Sequence, residues 1–104
     1  MKQISVEEAQ AMLAGVERPQ LVDCREPWEY QRGSLPGAVL LPLGEIVERA
    51  GELDPARPVL VYCHAGVRSV SAAILLEQAG FTTMSMRGGT DAWSQRIDPS
   101  LPRY

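Results

Sequence analysis

The sequence lacks most of the features that would direct a protein to a membrane, a nucleic acid or a metal ion. No stretch of its 104 residues is long and apolar enough to span a bilayer. The formal net charge of −3 is mild and argues against a surface for nucleic acid. His64 is the only histidine, so one chain cannot form a histidine–cysteine metal cluster of ordinary spacing. We therefore expect no membrane, nucleic acid or metal among its partners.

Cysteine is also scarce, and the first residues do not resemble an export signal. Residues 1–8 contain no apolar signal region, so we expect a reducing cytoplasm in which Cys24 and Cys63 are free thiols. The chain has no internal repeats or low-complexity stretches, and its 45% hydrophobic content suits one core. We predict a single domain over residues 1–104, present as a monomer or weak dimer.

What the sequence does contain is a repeated exchange of helical and strand-like periodicity. Ser5 and Glu8 have the spacing of a capping box and open the first helix. Strands separated by helices predict a parallel sheet with helices on both faces. The proline-rich residues 97–104 are predicted to form an extended, partly ordered tail. Strands are predicted over residues 20–23, 38–41, 58–62 and 83–86, and helices over residues 5–15, 27–32, 43–50, 69–79 and 90–96.

The most informative segment is the junction at Cys63, where a buried strand meets a helix. Pro58–Tyr62 is a nearly unbroken apolar run, typical of a strand that is covered on both faces. Residues 63–68 make the turn, and Gly66 stands where a positive φ would be accommodated. A loop this short points its amide groups into one concavity at the helix N-terminus. These amides, the helix dipole and Arg68 favour a Cys63 thiolate, with a pKa of roughly 3.5–7.5 as in comparable sites.

Two other strand ends are expected to lie beside this turn. Cys24 and Arg25 follow the strand over residues 20–23, and Arg87 with two glycines follows the strand over residues 83–86. Open parallel sheets bind ligands at the carboxyl ends of their strands, so neighbouring strands would bring these segments to one crevice. Cys24, Arg25 and Arg87 are therefore predicted to form the rim of a pocket.

The turn and the flanking strand ends together resemble the rhodanese-type sulfurtransferases. The resemblance rests on three motifs that stand in the expected order and cover nearly the whole chain. It implies an α/β fold with an open, mainly parallel five-stranded sheet and helices on both faces. It also implies that Cys63 carries a sulfane sulfur as a persulfide. The motifs are residues 21–38 (LVDCREPWEYQRGSLPGA), the active-site loop at residues 63–69 (CHAGVRS) and residues 87–93 (RGGTDAW).

The resemblance also implies a reaction and a set of binding residues. Cys63 would take the outer sulfur of thiosulfate or of a protein persulfide and pass it to cyanide, a thiol or a sulfur-carrier protein. Arg68 either engages the sulfonate of thiosulfate or turns away to pair with a carboxylate, and His64 either lines the pocket mouth or covers the loop. No cofactor is expected beyond the covalent persulfide. Backbone amides would hold that persulfide, so the predicted binding residues are His64, Ala65, Gly66, Val67, Arg68 and Ser69.

Several positions near the loop are interpreted as structural. The family usually has an aliphatic residue where Cys24 stands, so Cys24 is predicted to pack in the core. The alternative is that Cys24 forms a disulfide with Cys63 or resolves its persulfide. Asp23 and Arg25 are predicted to form an internal ion pair, and Ser34 replaces a histidine that the family often has.

Two other functions stay open at this point. A phosphatase or arsenate reductase of related fold would resemble C-x5-R, whereas Cys63 and Arg68 are spaced as C-x4-R and no general acid is evident. The alternative from a different class is a sulfur-relay or docking module with little small-molecule turnover. It is suggested by residues 89–104, which resemble the ends of rhodanese domains attached to sulfur-carrier-activating adenylyltransferases.

Overall fold

One parallel sheet organises the chain, which the computed structural model describes over residues 1–104. The strands are β1 (Lys2–Ile4), β2 (Gln20–Asp23), β3 (Val39–Leu40), β4 (Val59–Tyr62) and β5 (Thr83–Met86). The helices are α1 (Val6–Leu13), α2 (Pro27–Arg32), α3 (Ile46–Arg49), α4 (Arg68–Gln78) and α5 (Gly89–Arg96). The strands lie in the order β1-β5-β4-β2-β3, and every neighbouring pair is parallel.

The central strand β4 divides its side chains between two hydrophobic cores. Val59 and Val61 pack on one face of the sheet with residues of α3 and α4. Leu60 and Tyr62 pack on the other face with residues of α1 and α5. Helices therefore cover both faces of the sheet, which confirms the predicted fold class. This double burial explains why the apolar run of β4 shows no alternation with polar residues.

The fifth strand is the element that periodicity did not locate. Residues 2–4 form β1 at the sheet edge, where Lys2 is in register with Met84 and Ile4 with Met86. Only Ile4 of this strand is buried. A strand of three residues with one buried side chain gives no alternation to detect, so only the family resemblance implied a fifth strand.

The predicted helix over residues 43–50 is less regular than expected. It consists of the short helix α3 with a 3₁₀ turn on each side, at Leu43–Glu45 and Ala50–Glu52. None of the helices is both long enough and apolar enough to cross a membrane.

The segment after α5 has no regular secondary structure and is attached to the domain at a few points. Leu101 is buried, and its carbonyl accepts a hydrogen bond of 2.7 Å from the Ser94 hydroxyl. Arg103 forms an ion pair of 3.0 Å with Asp91 of α5. The rest of the predicted tail is exposed apart from the half-buried Ile97, so the burial of Leu101 and these polar contacts are its main attachments to the domain. This packing brings Tyr104 to the carboxyl end of the sheet.

Candidate active site

The loop from Cys63 to Arg68 lies at the carboxyl end of β4 and is fixed from behind by the start of α5. The amides of Thr90 and Asp91 donate to the carbonyls of Cys63 and His64 at 2.8 and 3.0 Å. Gly66 has a φ of 95°, and a Cβ atom there would lie 2.9 Å from the Gly88 nitrogen. A Cβ atom on Gly89 would in turn collide with the Cys63 carbonyl oxygen, which explains why the turn after β5 is rich in glycine.

The Cys63 sulfur is surrounded by hydrogen-bond donors. The amides of Gly66 and Ser69 donate to it at 3.1 and 3.3 Å, and the Ser69 hydroxyl lies 3.4 Å away. The Cys24 thiol, the Ser69 hydroxyl and the two amides together outweigh burial and lower the pKa of Cys63 to about 5. A thiol with this pKa is a thiolate at neutral pH, which is the nucleophilic form.

Cys24 lies beside Cys63 rather than on a pocket rim. Asp23 and Tyr62 are in register on β2 and β4, and the Cys24 amide continues this ladder by donating to the Tyr62 carbonyl at 3.1 Å. Both cysteines are free, about 1% exposed and part of the same core. The pKa of Cys24 is raised, first by its interaction with the Cys63 sulfur and then by burial. Cys24 is thus a packed residue that also contacts the nucleophile.

The two arginines predicted beside Cys24 and after β5 are both bonded to groups other than the Cys63 sulfur. Arg25 is 1% exposed and pairs with Asp23 at 2.7 Å, which confirms the predicted internal ion pair. Arg87 is exposed, and its side chain donates to Gln3 of β1 at 3.3 Å. Neither guanidinium has a hydrogen bond to the Cys63 sulfur.

Arg68 adopts the second of the two arrangements left open by the sequence. Its guanidinium donates two hydrogen bonds to the Glu29 carboxylate, Nη1 to Oε1 at 2.6 Å and Nη2 to Oε2 at 2.9 Å. The Arg68 interaction, followed by those with Tyr104 and the Glu26 amide, lowers the pKa of Glu29 to about 2 despite burial. Glu29 is a site residue that sequence reasoning missed, although it lies within the N-terminal motif.

Tyr104 is a second missed residue and forms a wall of the site. Its hydroxyl donates to Glu29 Oε2 at 2.6 Å and accepts from Arg25 Nη1 at 2.8 Å. Its ring lies 4.2 Å from the His64 ring between centroids, and 5.6 Å from the Trp28 ring. No local sequence pattern predicts these contacts, because they join residues that are far apart in the chain.

The remaining loop residues surround the buried Cys63 side chain on the outer side of the turn. His64 is half-buried, with Nδ1 lying 3.4 Å from the Thr90 hydroxyl, so it lines the mouth and also packs on the loop. Ala65 and Val67 are exposed. Of the amides predicted from Ala65 to Ser69, those of Gly66 and Ser69 reach the sulfur. No group of three histidine, cysteine, aspartate or glutamate residues is arranged to hold a metal ion.

Comparison with known proteins gives one consistent result. A family model described as a rhodanese-like domain matches residues 5–96. A sulfurtransferase from Allochromatium vinosum is 36% identical, over 91% of this chain and 90% of that protein. The crystal structure of a rhodanese-like domain protein from Staphylococcus aureus has a TM-score of 0.86 and 29% identity, and the match covers 100% of this chain and 99% of that one.

The fraction of a relative's length that this chain covers differs from one relative to another. It spans less than half of some relatives and nearly all of others. One of the long relatives is a probable adenylyltransferase/sulfurtransferase from Mycobacterium tuberculosis. It is 33% identical over 81% of this chain, which corresponds to 22% of that protein.

Proposed function

Since this chain belongs to the rhodanese-like family, we propose that it is a sulfurtransferase that carries a sulfane sulfur as a persulfide on Cys63. The observation that carries the proposal is the environment of the Cys63 sulfur, which accepts hydrogen bonds from the amides of Gly66 and Ser69. These donors favour the thiolate that must attack, and they can equally support the anionic persulfide that results.

In the first half of the proposed reaction, the donor gives up its outer sulfur. The Cys63 thiolate attacks that sulfur in thiosulfate or in a protein persulfide, forming a new S–S bond. The S–S bond of the donor breaks, and its electron pair leaves with sulfite or with the donor thiolate. The step is redox-neutral and needs no cofactor, because the sulfane sulfur itself moves.

In the second half, the acceptor removes the sulfur and regenerates the enzyme. A thiolate, cyanide or a sulfur-carrier protein attacks the outer sulfur of the persulfide, and Cys63 leaves as a thiolate. The low pKa of Cys63 helps this step too, because a more acidic thiol is a better leaving group.

Intact-mass measurement tests the proposal directly. After incubation with thiosulfate or a protein persulfide, the protein is expected to gain one sulfur atom and to lose it when cyanide is added. The Cys63→Ser variant should gain nothing, whereas a Cys24→Val variant should still be charged. Charging of the Cys63→Ser variant, or no charging of the parent by either donor, would contradict the proposed carrier.

A sulfur-relay module is the second candidate, and the packing of Tyr104 against the active-site loop favours it. The segment that resembles the ends of adenylyltransferase-linked domains lies at the site itself, and one relative carries both activities in its name. In a relay the charged protein would discharge much faster to a sulfur-carrier protein than to cyanide at equal concentration. Faster discharge to cyanide would favour the small-molecule enzyme.

A further inference from the structure

The electrostatic state of Arg68 bears on which donor the site accepts. A loop arginine with a free guanidinium would match the sulfonate oxygens of thiosulfate, which carries two negative charges. In this protein both terminal nitrogens of Arg68 are already bonded to the Glu29 carboxylate, at 2.6 and 2.9 Å. The pair is bidentate, and the Glu29 side chain is only 4% exposed. The charge of Arg68 is therefore compensated before any donor arrives.

Other contacts hold Glu29 in this arrangement. Its Oε2 accepts a hydrogen bond of 2.6 Å from the Tyr104 hydroxyl, and its Oε1 accepts one of 3.0 Å from the Glu26 amide. With the two bonds from Arg68, four donors point at one carboxylate. Glu29 consequently stays ionised at any working pH, as its lowered pKa of about 2 also indicates. Arg68 cannot be released by a small change of pH.

Of the two further cations close to the site, Arg32 lies over the Tyr104 ring at 5.4 Å from its centroid, whereas Arg25 is compensated in the same way as Arg68. Arg25 is bonded to Asp23, to the Gly33 carbonyl at 2.7 Å and to the Tyr104 hydroxyl. The polar groups that contact the Cys63 sulfur are all uncharged: two amides, a hydroxyl and a thiol. The groups that contact the Cys63 sulfur thus stabilise one negative charge without offering a matched cation for a second anionic group.

The side chains on the outer side of the loop are largely apolar, and the charges of the nearby Arg68 and Arg25 are compensated. Val67 is 76% exposed and Trp28 is 56% exposed, and the Tyr104 ring lies between the rings of Trp28 and His64. A sulfonate would have to be desolvated against these apolar side chains, which is costly when neither Arg68 nor Arg25 is free to pair with it. The carbon skeleton of a thiol would pack against them instead.

From these contacts we propose that Glu29 sets the donor preference of the enzyme by neutralising Arg68, so that an alkyl persulfide is preferred to thiosulfate. This proposal rests on the proposed function, since it concerns the charging of Cys63. In the preferred step the Cys63 thiolate attacks the outer sulfur of the protonated donor R–S–SH. The Cys63 Sγ–S bond forms, the S–S bond of the donor breaks, and R–S⁻ leaves with the electron pair. The proton stays on the transferred sulfur until solvent removes it.

The test compares donors with the same acceptor, cyanide. Thiosulfate, glutathione persulfide and persulfidated serum albumin are each titrated, and kcat/KM is measured for the parent and for Glu29→Gln. The parent should prefer both persulfides to thiosulfate by about tenfold or more. Glu29→Gln should raise kcat/KM for thiosulfate by about tenfold and leave that for glutathione persulfide within about threefold. A parent that prefers thiosulfate, or an unchanged ratio in the variant, overturns the proposal. The measurement with persulfidated serum albumin shows whether the enzyme also accepts a persulfide that is carried by a protein.

The double variant Glu29→Gln/Arg68→Gln is the matched control and leaves no charge of the pair unbalanced. Its donor ratio should return to within about threefold of the parent ratio, because the freed cation is gone. A tenfold or larger loss of thiosulfate kcat/KM in this variant would show that Arg68 binds the dianion in the parent, which overturns the proposal even if Glu29→Gln does not fold. Failure of the proposed function looks different, because no donor would then charge Cys63 in the intact-mass measurement.

Discussion

Cys24 and Cys63 stand at the ends of adjacent strands with nearly the same burial, yet their acidities are driven in opposite directions. The pKa of Cys63 is lowered to about 5, whereas that of Cys24 is raised. Burial alone raises both, so burial cannot account for the difference. What differs is the chain that follows each residue. The loop after Cys63 turns two amides and a hydroxyl onto its sulfur, whereas Cys24 is itself a hydrogen-bond donor to that sulfur.

Alkylation kinetics should show the largest difference between the two cysteines. At pH 7 iodoacetamide is expected to modify Cys63 more than about a hundredfold faster than Cys24, because only Cys63 is a thiolate. Peptide mass spectrometry of the parent measures both rates in one sample. The Cys63→Ser variant should then be nearly inert. Comparable rates at the two positions would show that the loop does not activate Cys63.

The same contrast should appear in stability as a function of pH. The folded pKa of Cys63 is about 5, below the ordinary value of 9.0, so ionisation of this thiol favours the folded state. Its contribution is complete above about pH 9 and is lost as pH falls through about 5. The free energy of unfolding of the parent, measured with urea, should therefore rise relative to Cys63→Ser between these pH values. A constant gap between parent and variant would contradict the low pKa.

The environments of the two cysteines could be predicted from the sequence to different extents. Part of the chemistry of Cys63 was predictable because the apolar strand, the six-residue turn and the helix N-terminus are local, whereas the contribution of Cys24 to its lowered pKa is not. The environment of Cys24 was not predictable, because it depends on the register of β2 against β4. Glu29 and Tyr104 were missed for the same reason. The Arg68–Glu29 contact spans 39 positions and the Tyr104–Glu29 contact spans 75.

A smaller effect is expected from removing the donor that Cys24 supplies. Cys24→Val replaces the thiol by an apolar group of similar shape, and should raise the pKa of Cys63 by about one to two units. The pH dependence of iodoacetamide alkylation gives this pKa directly. Cys24→Ser is the matched control, because it keeps a donor and should restore most of the acidity.

The outcome for Cys24→Val also tells how the thiolate is held. An unchanged pKa would mean that the loop amides and Ser69 suffice, and that Cys24 only packs, as the sequence suggested. A thermal melt of each variant separates this outcome from a loss of folding. A Ser69→Ala variant provides the comparison from the loop side, with an expected increase of about one unit.

The smallest effect is expected at the third strand end, where Arg87 follows β5. The sequence placed this cation on the rim, but its side chain is bonded to Gln3 and has no contact with the Cys63 sulfur. Arg87→Ala should therefore change kcat/KM for either persulfide or thiosulfate by no more than about twofold, as for an ordinary surface substitution. The measurement is informative because a loss of kcat/KM of tenfold or more would show that the charge of Arg87 contributes to donor binding. In that case neutral groups alone would not account for the reactivity of Cys63. Long-range attraction of the anionic donor by Arg87 would then have to be included in the explanation of donor binding.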